Sequence, residues 1–220
     1  MSIKNVITGS LLGAAIALAA TAASAVPTQT SCSSITSVSQ FRSAGSCVIG
    51  DKKFTFVSSD LDQAPPVNDF SILFLNAGLT YSFNGLTPLI GSGDPLADNE
   101  SITYVIEVLD PLNYITSVGL DANVTVAAGS PGQTVVTKFI SDQQGNLLDT
   151  LVSLDGNPDS STALYHQYLL ITDTISLALN DVLAGFNNSF TQTRVPEPAS
   201  AALLGLGLLG LGAAVRRRKS

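Results

Sequence analysis

Apolar and polar residues alternate with a period of two along much of this chain. Across residues 101–109, Ile102, Tyr104, Ile106 and Val108 share one side, while Ser101, Thr103 and Glu107 share the other. That is the signature of a strand with one buried face. Val124 and Val126 repeat it within 121–127, and Phe54 and Phe56 flank Thr55. Further β-like runs occupy 70–75, 79–83, 114–120, 134–140, 147–154, 164–172, 175–179 and 185–191. Turn-forming residues separate them at Asn84-Gly85, 91–95, Asp110-Pro111, 129–132, 144–146 and 155–158. Many short strands between frequent turns predict an all-β fold, an antiparallel β-sandwich of jelly-roll-like kind. A short helix is predicted over 34–44, where Ile35, Val38 and Phe41 recur every three residues and Gly45 ends the run. No internal repeat is visible.

Both ends break this pattern. Residues 1–25 begin with Lys4, continue through an apolar stretch from about Val6 to Ala20, and finish in Ala23-Ser24-Ala25. A positive start, an apolar centre and small residues at the −3 and −1 positions predict a secretory signal peptide. It would be read by the Sec machinery and cut by signal peptidase after Ala25. At the other end, Pro196, Glu197 and Pro198 precede seventeen uncharged residues, 199–215, and then Arg216, Arg217, Arg218 and Lys219. Seventeen helical residues span about 26 Å, near the lower limit for crossing a bilayer. The basic cluster would stay cytoplasmic and leave the preceding domain outside. The predicted organisation is a signal peptide at 1–25, an ectodomain at 26–194 and a tail at 195–220.

The tail resembles the PEP-CTERM sorting signal of exported proteins in Gram-negative bacteria, with motif, transmembrane helix and basic cluster in order. The resemblance implies an exosortase as partner, recognition of Pro196, Glu197 and Pro198, and a membrane-held intermediate. Release to the cell surface or the exopolysaccharide matrix would follow. The segment Cys32…Gly45-Ser46-Cys47-Val48-Ile49-Gly50-Asp51-Lys52-Lys53-Phe54 is similar to the start of some PEP-CTERM surface proteins, a likeness that brings no activity with it.

Charge sharpens the picture. Between residues 26 and 195 stand five basic and sixteen acidic side chains, a net charge of −11. Such a domain lacks the cationic surface that nucleic acid binding needs. Cys32 and Cys47 are the chain's two cysteines, and in an exported protein they read as a disulfide.

Catalytic parts are scarce. His166 is the chain's one histidine and falls in a predicted strand. No Gly-x-Ser-x-Gly context marks a nucleophile. Paired glycosidase carboxylates would have to come from Glu100, Glu107 or the aspartates, but Glu107 lies on the polar face of its strand. No cofactor is expected. Asp94, Asp98 and Glu100 form the best candidate for Ca²⁺, with Asp60, Asp62 and Asp69 a weaker one. The segment also holds 21 Ser and 17 Thr, which supply much of the outer polar faces. The favoured reading is a non-enzymatic structural or interaction protein of the surface or exopolysaccharide matrix. The alternative is a carbohydrate- or ice-binding module, although Trp is absent and regular Thr-x-Thr ladders are not seen. A secreted hydrolase ranks last.

Overall fold

A computed structural model describes residues 29–61, 70–91, 98–130, 132–178 and 180–194. The signal peptide with Ala23 and Ala25, the Pro196-Glu197-Pro198 motif, the predicted helix at 199–215 and the Arg216–Lys219 cluster lie outside the described residues. Among the described residues, no helix is long and apolar enough to cross a membrane.

After a 3-10 turn at Cys32–Ser34, the helix α1 (Val38–Ala44) leads into the strands β1 (Ser46–Ile49), β2 (Lys52–Ser59), β3 (Ser71–Ala77) and β4 (Thr80–Gly91). Then come β5 (Asp98–Val108), β6 (Asn113–Thr125), β7 (Val135–Ser141), β8 (Leu147–Leu154), β9 (Asp159–His166), β10 (Tyr168–Ser176) and β11 (Val182–Arg194). They pair antiparallel into a six-stranded sheet, β1-β2-β5-β10-β7-β8, and a five-stranded sheet, β3-β4-β11-β6-β9. From β4 onward the chain passes back and forth between the sheets, except at the β7–β8 hairpin. This is the predicted antiparallel sandwich.

The two-residue period creates the core. Each strand sends its apolar phase inward, and aromatic rings from the two sheets interdigitate. Phe54 and Tyr104 from the six-stranded sheet meet Phe74, Phe83 and Phe190 from the other, with centroids 4.7 Å apart for Phe83–Tyr104 and 5.0 Å for Phe54–Phe74. Helix α1 closes one flank by burying Phe41 edge-on to Phe56 and Phe74. It starts later than the predicted 34. Ile35 is extended, and Ser37 is the cap, its Oγ accepting from Gln40 N at 3.3 Å. Gly45 stops the helix at φ 69°, a left-handed value that suits glycine. The Cys32–Cys47 disulfide fastens the 3-10 turn to β1.

Three boundaries differ from the sequence reading. Asn84-Gly85 is no turn: it lies inside β4, where Gly85 makes room for the rings of Phe186 and Phe70. The runs 114–120 and 121–127 are one strand, β6. The run 164–172 is instead broken at Gln167, and residues 175 and 176 complete β10. Left-handed conformations at Ala163 (φ 62°) and Tyr165 (φ 53°) turn the end of β9 out of register.

Candidate functional site

Across β4, β11, β6 and β9 the outer face of the five-stranded sheet is a grid of small polar side chains, while β3 at its edge presents exposed Leu73 and Leu75 opposite Asn84 and Ser82. Strand β11 points Phe186, Asn188, Phe190 and Gln192 inward, so Asn187, Ser189 and Thr191 point outward. Register aligns Asn84, Asn187 and Asp121 in one row across β4, β11 and β6. The next row holds Ser82, Ser189, Gly119 and Ser160, and a third Thr80, Thr191, Ser117 and Thr162. Rows in such a sheet repeat about every 7 Å along the strands, and neighbours sit about 4.8 Å apart. Asp121 is the one charged residue in these rows.

At one end the face sinks into an open hollow of about 170 Å³. Asn84, Asp121, Asn123 and Asn187 supply its polar lining, with Ala184, Gly185 and Phe186 beside them. Beside it the ladders of β11 slip between Leu183 and Gly185. The Asn84 Oδ1 atom is buried and accepts no hydrogen bond among the described residues. Such an orphaned acceptor is costly unless a ligand or water donates to it. Carboxamides both donate and accept, and a carboxylate accepts, so the lining suits a ligand rich in hydroxyl groups.

The opposite face of the sandwich assembles threonines across strands. Thr103 and Thr172 hydroxyls lie 3.0 Å apart, and Thr174 stands opposite Thr137 in register. Exposed Val57, Phe139 and Val152 interrupt them. Thr172-Asp173-Thr174 is a linear Thr-x-Thr element of this patch, and Thr103 and Thr137 join it only through cross-strand pairing.

The sequence candidates are dispersed. His166 ends β9, opposite Ile115. Glu107 faces outward and pairs with Lys53 at 3.7 Å. Asp94 lies outside the described residues, while Asp98 and Glu100 stand in β5 opposite Ser176 and Ile175. Asp60 accepts a hydrogen bond from Ser101 N at 2.5 Å, and Asp62 and Asp69 are outside the described residues. Among the described residues, no three His, Cys, Asp or Glu side chains gather to hold a metal ion.

What the sequence reading missed is buried. Lys138, Asp173 and Asn188 are each 0% exposed, yet meet in the core. Lys138 Nζ donates to Asp173 Oδ1 at 2.5 Å, and Asn188 Nδ2 donates to Asp173 Oδ2 at 2.7 Å. Burial pushes the Asp173 carboxyl up, against the pull of Lys138, and pulls the Lys138 amine down, against the pull of Asp173. Burial and the nearby Asp173 charge together raise the Tyr104 hydroxyl. A second buried lysine, Lys52, donates to Asp51 Oδ1 at 2.6 Å and to Gln192, and lies 4.4 Å from the centre of the Tyr81 ring. The available signal was phase. Lys138 sits between Val136 and Ile140, Asp173 between Ile171 and Ile175, and Asn188 between Phe186 and Phe190, always at an inward position.

Comparison with known proteins adds an address. Residues 194–219 match the model of the PEP-CTERM protein-sorting motif. The chain carries the signal of an exported protein that an exosortase processes, with membrane anchoring as part of that route. No curated protein sequence matches it. Among solved structures it is similar to TmCBM61 in complex with beta-1,4-galactotriose, at 15% identity and a TM-score of 0.33, over 64% of this chain and 88% of that one. It is also similar to a Glycosylation Associate Protein (Gap123) complex from Streptococcus agalactiae, at 14% identity and a TM-score of 0.29, over 62% of this chain and 44% of that one.

Proposed function

We propose that this chain is a non-enzymatic protein of the cell surface or exopolysaccharide matrix, and that its sandwich holds a neutral polysaccharide on the outer face of the five-stranded sheet. The observation that carries the reading is the hollow lined by Asn84, Asp121, Asn123 and Asn187 at the end of a face of hydroxyls. Its lining of carboxamides and one carboxylate offers hydrogen bonds to sugar hydroxyls. A neutral polymer is preferred because a domain of net charge −11 repels an anionic one.

Placement supports the same role. β11 ends at Arg194, where the sorting motif begins, and the hollow lies at Gly185 to Asn187 on that strand. Seven residue steps along the strand carry the chain from Asn187 to Arg194, about 24 Å. The hollow is therefore set well back along β11 from Arg194.

A glycan array probed with the full chain tests the reading. Binding to neutral polysaccharides is expected. Joint replacement Asp121→Ala and Asn187→Ala should weaken it about thirtyfold, two hydrogen bonds at about 1 kcal/mol each. Unchanged affinity in that variant would move the ligand elsewhere, and a blank array would leave a purely structural role.

A further inference from the structure

The buried triplet in the core offers more chemistry than packing requires. Lys138 on β7 and Asp173 on β10 are partners in register within the six-stranded sheet, and Asn188 reaches them from β11 of the other. One carboxylate thus holds an amine on one oxygen and a carboxamide on the other. The Asn188 Oδ1 atom accepts no hydrogen bond among the described residues. The rings of Tyr104 and Phe190 lie with centroids 6.0 and 5.9 Å from Lys138 Nζ and enclose the site.

We propose that Lys138 and Asn188 form a self-catalysed isopeptide bond that ties the two sheets together, with Asp173 as the proton-transfer group. The proton shared by the ion pair first rests on Asp173, leaving Nζ as a free amine. Nζ attacks Cγ of Asn188, and the carbonyl electron pair moves onto Oδ1. That pair returns as the Cγ–Nδ2 bond breaks. Asp173 gives its proton to the departing Nδ2 and takes one from Nζ, ending as it began. An amine and a primary amide become a secondary amide and ammonia, with no oxidant, reductant or cofactor.

The environment favours each step. Burial moves the amine and the carboxyl towards their neutral forms, which the attack requires. Holding both reactants on one carboxylate replaces an encounter by a fixed approach. The product also removes an amine–carboxylate charge pair from an apolar core, where such charges are poorly solvated. The strand that gains the tie, β11, runs directly into the sorting motif. A pull on the tail would enter β11 and pass through the bond at Asn188 into β7.

The test is mass spectrometry of the full chain, denatured and digested by a protease of broad specificity. A branched species joining the Lys138 and Asn188 peptides is expected, lighter than their sum by one ammonia. Asp173→Asn and Asn188→Ala should abolish it, and circular dichroism reports whether each variant still folds. The wild-type digest decides the matter even if neither does. Linear peptides with a free Lys138 amine and an intact Asn188 amide would overturn the proposal. A branched species persisting in Asp173→Asn would overturn the role given to Asp173.

Discussion

Gly85 and Gly119 face opposite ways in the same sheet, so one substitution tests two environments. A methyl group at 85 would stand 2.6 Å from Phe186 Cε1 and 2.7 Å from Phe70 Cε1, rings fixed in the core. At 119 it would meet Ser189 Oγ at 2.5 Å, a surface hydroxyl that can rotate away. Gly85→Ala should therefore cost about 1–3 kcal/mol through overpacking, and Gly119→Ala no more than about 0.5 kcal/mol. Urea denaturation of both variants checks this, and equal midpoints would show that the Phe186 ring yields. Residues of this kind mark the limit of reading a sequence. Gly45 after a helical run and a lone cysteine pair were legible because their roles are local. The use of Gly85 depends on a ring 101 positions away. Lys138, Asp173 and Asn188 were legible in phase only, and polarity argued against placing them inside.

Strands were found where the alternation was clean, but their ends were set by contacts between elements. Asn84-Gly85 has turn chemistry, yet pairing with β3 and β11 on both sides carries β4 straight through it. The break at Gln167 follows left-handed backbone at Ala163 and Tyr165, which side-chain alternation does not encode. The connection from β6 to β7 shows how a loop is held. Asp181, just before β11, accepts from Ala127 N at 2.9 Å and from Thr134 Oγ1 at 2.8 Å, pinning both ends of that loop. The Ala127 and Thr134 bonds hold its carboxyl below the ordinary value of 3.8. A carboxyl lowered on folding stabilises the protein above its unfolded value, and that contribution is lost as pH falls through the lower folded value. Asp181→Asn should therefore lower stability at neutral pH, and its deficit against wild type should shrink below about pH 4. A deficit independent of pH, followed by thermal melts from pH 7 to pH 2, would mean that the charge is immaterial and only shape matters.

At the scale of the molecule, the sandwich and the address come from different parts of the chain and were legible to different degrees. Period-two alternation gave the layers, because a sheet with one buried face has few other ways to be written. The candidate face was not legible, since its rows combine residues from β4, β11, β6 and β9 that only register brings together. The sorting tail was legible because motif, apolar run and basic cluster are contiguous, and the match at 194–219 coincides with them. Its position in the sequence, after the last strand, yields the last prediction. Glu197 and the Arg216–Lys219 cluster belong to the matched motif and to none of the strands β1 to β11, so altering them should change delivery and leave stability alone. Replacing Glu197 with alanine, or deleting 216–219, should leave the protein in the inner membrane, while the purified protein melts at the wild-type temperature. Cell fractionation beside a thermal melt separates the two effects. Normal surface delivery of both variants would show that another part of the chain carries the address, and a lowered melting temperature would show that the tail packs on the domain.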